Sequence, residues 1–168
     1  MLSAGLLVVR LVLGLLLAAH GAQKLLGWFG GPGLAAISSG FDSMGFRPGR
    51  LFAAVASLTE IGAGLLLALG FLGPIGPALA ISVMIVAMGS VHWKNGMFAA
   101  NNGVEVPLLY ATGAAALLLT GPGEFSLDAI LGLGSLLTPM LQVTLLTVGV
   151  LGGLVNLLAR RPVAAKAA

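Results

Sequence analysis

The chain has 168 residues, of which 58% are hydrophobic, 8% are charged and none is cysteine. A soluble domain carries about 25% charged residues to face water, so this composition, with a mean hydropathy of +1.09, excludes a water-soluble globule and points to an integral membrane protein. The missing cysteine excludes disulfides, thiolate metal sites and thiol redox chemistry, and a net charge of only +3 gives no nucleic-acid signal despite a pI near 10.

An apolar helix of about 20 residues crosses the ~30 Å hydrocarbon core. Five stretches qualify, near 6–26, 51–72, 75–93, 104–121 and 134–158, the fourth being the shortest. The first starts without positive charge, holds Arg10 inside its apolar run and is too long for a signal-peptide core, so it reads as a span. Gly70-Phe71-Leu72-Gly73-Pro74 predicts a tight turn that makes the second and third spans a hairpin. Between 27 and 50, Leu34, Ile37, Phe41 and Met44 recur at steps of three and four with Ser38, Ser39 and Asp42 between them. That spacing predicts a short amphipathic helix near 33–45, lying in the membrane interface. Residues 94–103 read as a polar loop, and Gly149-x-x-x-Gly153 on the fifth span as a helix-packing face.

Orientation follows from lysine and arginine in the short loops. Lys24, Arg47, Arg50, Lys94, Arg160, Arg161 and Lys166 all fall on one side of a five-span chain, whereas the opposite loops have none and hold Glu124 and Asp128. The N-terminus is therefore expected outside and the C-terminus in the cytoplasm. Trp28 and Trp93 are expected at the cytoplasmic boundary as interfacial anchors.

Ionisable residues inside a span are costly and usually face the bundle interior with a partner. At ~100° per residue, Arg10, Gly14, Leu17, Gly21 and Lys24 share one face of the first span, with His20 at its edge, and Ala53, Ser57, Glu60, Gly64 and Leu67 share one face of the second. His92 closes the third span on the cytoplasmic side, and Glu105 opens the fourth, with Tyr110 about a turn deeper. The candidate site is thus a polar intramembrane pocket of Arg10, His20, Lys24, Glu60, His92, Glu105 and Tyr110, fit for a quinone headgroup, a small anion or protons. A structural reading stays open beside it: Arg10 and Glu60 form a buried pair that fixes helix register, and Lys24 snorkels to the surface. No pair of these residues has the close helical spacing of a preformed metal site, so no metal is assigned. His20 and His92 are expected to be the titrating pair, because histidine titrates closest to cellular pH.

The ordered set Arg10-x-x-x-Gly14, His20-Gly21-x-Gln23-Lys24-Leu25, Glu60 ahead of Gly62, Gly64 and Leu69-Gly70, His92 before Asn95-Gly96-Met97, Glu105 before Leu108-Leu109-Tyr110, and Gly121-Pro122-Gly123-x-x-Ser126-Leu127-Asp128 resembles the DoxX family of small bacterial membrane proteins. The resemblance covers roughly residues 6–131 and implies a four-helix bundle in the bacterial inner membrane. It also implies a link to redox chemistry, since DoxX-type subunits are associated with thiosulfate:quinone oxidoreductase and with an actinobacterial membrane oxidoreductase complex. Family members commonly end near the position of Asp128, so the fifth span departs from the pattern.

The expected architecture is therefore all-α: a polytopic membrane helix bundle with a DoxX-like core over 1–131 and a fifth transmembrane helix plus basic tail over 132–168. The expected function is a membrane subunit of a redox assembly, with quinone as candidate ligand and no covalent cofactor. The sequence carries no flavin, haem or iron–sulfur signature, so a soluble oxidoreductase partner would supply the redox centre. Residue chemistry alone does not decide for catalysis over binding, nor for a homo- or hetero-oligomer. The alternative is a small-solute or proton transporter, or a structural membrane module.

Overall fold

The computed structural model describes residues 1–161, so Lys166 of the basic tail lies outside the described residues. All regular structure there is helical: α1 (Leu2–Leu26), α2 (Gly33–Ser43), α3 (Gly49–Leu69), α4 (Ile75–Ala87), α5 (Glu105–Thr120), α6 (Leu127–Ile130) and α7 (Pro139–Leu158). A π-helical turn, Met88–His92, and a 3-10 turn, Trp93–Asn95, extend α4 without a break. Four of these helices, α1, α3, α7 and the extended α4, are long and apolar enough to cross a membrane. Helix α5 has 16 residues, about 24 Å of rise.

Boundaries differ from the sequence expectation in three places. Helix α1 starts at Leu2 rather than Leu6. Helix α3 stops at Leu69, because Gly70 takes a left-handed conformation (φ 62°) that ends the helix and leaves Leu72 in the turn. Helix α7 starts only at Pro139: the Thr138 hydroxyl accepts from the Leu141 N–H, and proline suits the first helical position, where no N–H is needed.

Helices α1 and α3 are antiparallel and pack through backbone rather than side chains. A Cβ on Gly14 would stand 2.5 Å from the Gly64 carbonyl oxygen, and one on Gly21 would stand 2.6 Å from that of Ser57. Small residues allow this approach where no hydrophobic force drives helices together in lipid. The two contacts fix the register: Gly14 faces Gly64, Gly21 faces Ser57, and so Arg10 lies level with Ala68.

Helix α7 packs on α4 in the same manner, with Gly149 against Ala78 and Gly153 against Ser82 and Ile85. Both contacts advance together along the two chains, so α4 and α7 run parallel. Helix α5 must therefore return the chain across the bundle between them, which makes five crossings. Leu17, Ala63, Leu67, Ile81, Met84, Ala114, Leu117 and Leu118 fill the centre. Helix α2 packs on α3 and α1 at the end of the bundle that carries Arg47, Arg50, Arg160 and Arg161.

Candidate functional site

Two buried charge centres sit on the same face of α1. The deeper chemistry begins at Glu60, in the middle of α3 and only 1% exposed. Its Oε1 lies 2.6 Å from Lys24 Nζ, and its Oε2 is buried with no hydrogen-bond partner among the described residues. Side chains on a helix lean toward its N-terminus. On antiparallel helices Lys24 therefore leans inward and Glu60 leans toward the basic end, so the two meet across several residues of register.

The same geometry corrects the expected Arg10–Glu60 pair. Arg10 also leans toward the start of α1, which from its position is away from Glu60. Its Nη2 donates to the Phe125 carbonyl at 2.7 Å and to that of Ala68 at 3.4 Å, and its Nη1 donates to the Pro122 carbonyl. Eight residues between Arg10 and the level of Glu60, about 12 Å of rise, separate the charges. Lys24, expected to snorkel, is instead the partner of Glu60.

Arg10 belongs to a closed knot at the far end. Asp128, 2% exposed, accepts from the N–H groups of Leu72 at 2.9 Å and Gly73 at 2.6 Å, and its own N–H donates to the Gly70 carbonyl at 3.1 Å. The acidic α6 thus clamps the α3–α4 turn while the 122–126 loop wraps Arg10. Asp128 is the opposite charge acting on that guanidinium.

Around Glu60 the bundle is open. Helix α1 packs chiefly on α3, and α5 chiefly on α4. Helices α1 and α5 meet near Leu13 and Gly113, and on the basic side of that contact lies a cavity of about 580 Å³. His20, Lys24, Glu60, His92 and Tyr110 line it together with Gln23 and Asn102. The remaining walls are mostly apolar, among them Leu17, Met84, Val91 and Pro107, while Leu16 and Val106 reach the lipid-facing surface between α1 and α5.

Of the seven expected site residues, the structure brings these five together and leaves Arg10 and Glu105 out. Glu105 is spent on the loop: its Oε2 accepts from the Ala99 N–H at 2.7 Å, and its own N–H donates to the Met97 carbonyl at 2.8 Å. A carboxylate in the first turn also suits the positive end of α5. His92 is carried at the end of the π-turn, a feature that offsets the side-chain frame of a helix and recurs at functional sites. Its Nδ1 lies 2.8 Å from the Asn102 carbonyl. A carbonyl only accepts, so Nδ1 carries the proton and, in the neutral ring, Nε2 presents a lone pair. Asn102, at φ 60°, turns its carbonyl to receive this bond and a second from Asn95.

Sequence reasoning missed Gln23 and Asn102 as lining residues and Asp128 as the buried clamp. The signal for Asp128 was available: it stands among Leu127, Ala129 and Ile130, two residues after a helix-capping Ser126. Among the described residues no three histidine or carboxylate side chains converge as metal ligands would.

A family model described as DoxX matches residues 5–93, which take in α1 to α4 with the π-turn and therefore Lys24, Glu60 and His92. No curated protein and no solved structure matches the chain.

Proposed function

The chain belongs to the DoxX family, and on that premise we propose that it is a membrane subunit of a redox assembly whose cavity receives the headgroup of a quinone from the lipid phase. One observation carries this reading: a carboxylate oxygen, Glu60 Oε2, is buried without a donor and belongs to a residue that lines a cavity of about 580 Å³. That volume falls in the range of ligand pockets, which are largely apolar with a few placed polar groups. An acceptor in such a place calls for a ligand that donates to it.

The residues fit both redox forms of such a headgroup. Lys24 and the Tyr110 hydroxyl can donate to a carbonyl oxygen, and Glu60 Oε2 and His92 Nε2 can accept from a hydroxyl. A quinone, when bound, supplies the two-electron chemistry; the chain's residues bind it, orient it and hold the protons. A soluble oxidoreductase partner would provide the other redox centre. Above Glu60 the packed leucines of the core close the cavity, which supports binding from one side over passage through the bundle. The proposal places the protein in the bacterial inner membrane with the N-terminus outside and the basic, C-terminal end in the cytoplasm, supported by the distribution of lysine and arginine.

The test is titration of the purified protein with a fluorescent quinone analogue. The wild type should bind saturably, and Glu60→Gln and Lys24→Met should each weaken binding by on the order of tenfold, the worth of one charge-assisted hydrogen bond. No saturable binding, alongside solute flux into liposomes, would replace this reading with transport. A C-terminal reporter that is fluorescent only in the cytoplasm should light up; darkness would reverse the orientation.

A further inference from the structure

A second site lies at the same end of the bundle but on its opposite flank, and it is independent of the quinone reading. Helices α3 and α7 both pack on α4 and have little contact with each other. The cleft between them, about 80 Å³, is floored by Val83 and Val86 and walled by Phe41, Phe46 and Phe52, whose rings adjoin in series at centroid distances of 5.8 and 5.6 Å, tilted by 50° and 41°. Val55 stands at its lip, 53% exposed, so the cleft opens to lipid.

Three arginines are carried by backbone beside its Phe46 end. The Arg161 N–H donates to the Gly45 carbonyl at 2.9 Å, which ties the end of α7 to the loop before α3. A Cβ on Gly45 would stand 3.4 Å from Arg160 Cβ. Arg160 and Arg161 are thereby set beside the loop that carries Arg47, whereas Arg50, in the first turn of α3, lies on the face opposite Phe52, Val55 and Thr59. The one carboxylate there, Asp42, is occupied by the Gly49 N–H. Among the described residues none of these three guanidinium groups makes an ion pair, and Arg160 uses only its Nε, which donates to the Leu157 carbonyl at 3.1 Å.

We infer that this corner binds an anionic phospholipid, its phosphate on Arg47, Arg160 and Arg161 and the first methylenes of one acyl chain in the phenylalanine cleft. Guanidinium groups match phosphate oxygens in pairs, and basic corners between membrane helices on the cytoplasmic side are suited to anionic headgroups. The cleft is too small for a headgroup and too apolar for a free ion, so charge above and hydrocarbon below select a lipid.

The full chain is purified in phosphatidylcholine nanodiscs and challenged with phosphatidylglycerol. Native mass spectrometry should show retained phosphatidylglycerol, and the melting temperature should rise with its content. The variants R47Q and R160Q/R161Q should cut retention by on the order of fivefold and thirtyfold, from about 1 kcal/mol per basic group, whereas R50Q and K94Q should not. Equal retention of phosphatidylcholine, or retention unchanged in both R47Q and R160Q/R161Q, overturns the site. Equal protection by inorganic phosphate overturns the lipid as occupant. Should the arginine variants fail to fold, V55W decides: it blocks the cleft with every charge in place and should lower retention, and unchanged retention overturns the proposal. Binding of the quinone analogue at Glu60 is read separately and is unaffected by either outcome.

Discussion

Helix α1 carries a basic side chain at each end of its packed face, Arg10 and Lys24, and the centres built on them are opposites. At one end Arg10 and Asp128 use their hydrogen-bonding capacity on backbone: three carbonyls for the guanidinium and two turn N–H groups for the carboxylate. At the other end Glu60 uses one oxygen on Lys24 and leaves the other unused beside a cavity. Both centres hold one cation and one carboxylate, so burial of charge does not separate them. What separates them is unused capacity with space in front of it. Arg10 Nε is also without a partner, but Arg10 lines neither cavity described above. The closed centre is read as structural and the open one as a place for a ligand.

The sharpest way to break that contrast is Asp128→Ala. It strips the α3–α4 turn of its two N–H acceptors and removes the opposite charge that acts on Arg10. Leaving two buried turn N–H groups without an acceptor costs about 1–3 kcal/mol each, so thermal unfolding in detergent should show the largest loss of any single polar substitution here. Binding of a quinone analogue, measured below the melting point, should stay near wild type. A variant with normal stability and lost binding would exchange the roles of the two centres.

Gly64→Val comes next, because it acts on both centres at once. A Cβ on Gly64 would collide with the Gly14 backbone, so valine must push α1 off α3. Overpacking of this kind costs about 1–3 kcal/mol. The shift should loosen the Lys24–Glu60 contact as well as the Arg10–Ala68 contact, so stability and binding should fall together. Loss of one without the other would show that the α1–α3 register is not what aligns them.

The Lys24–Glu60 pair should respond less than the knot. Lys24 retains 23% side-chain exposure, so in Glu60→Ala the freed ammonium can reach water, and the stability loss should stay near ~1–2 kcal/mol. The double variant K24M/E60L should recover wild-type stability, since apolar replacement of a buried pair is often neutral or better, while binding stays lost. A double variant that binds normally would remove the pair from the site.

Much of this contrast was legible in the sequence, and the part that was not has a definite cause. Periodicity placed the faces of α1 and α3 correctly: Arg10, Gly14, Leu17 and Gly21 are buried, as are Ala53, Ser57, Glu60, Gly64 and Leu67. Angular position, however, says nothing of which way a side chain leans along the axis. That lean, toward each helix's own N-terminus, sends Lys24 rather than Arg10 to Glu60. The capture of Glu105 by Ala99 and of Asn102 by His92 depends on loop geometry between 96 and 105, for which a run of Asn, Gly and Ala carries no periodic signal. Asp128 was visible as an acidic loop residue, but its burial depends on the Gly70–Gly73 turn brought beside it by the fold.

His92 offers the finest probe, because its two ring nitrogens do different work. Nδ1 holds the Asn102 carbonyl and with it the loop over the cavity, whereas Nε2 is left as an acceptor. Asparagine reproduces roughly the position of Nδ1, and glutamine that of Nε2. His92→Asn should therefore keep the loop bond, change stability by under about 1 kcal/mol, and still weaken binding of a hydroxyl-bearing headgroup. His92→Gln should loosen the loop, seen as faster amide exchange at Asn102 and Gly103, yet keep an acceptor near the ligand. If His92→Asn binds as tightly as wild type, His92 is only a strut for the loop, and the open centre reduces to Glu60, Lys24 and Tyr110.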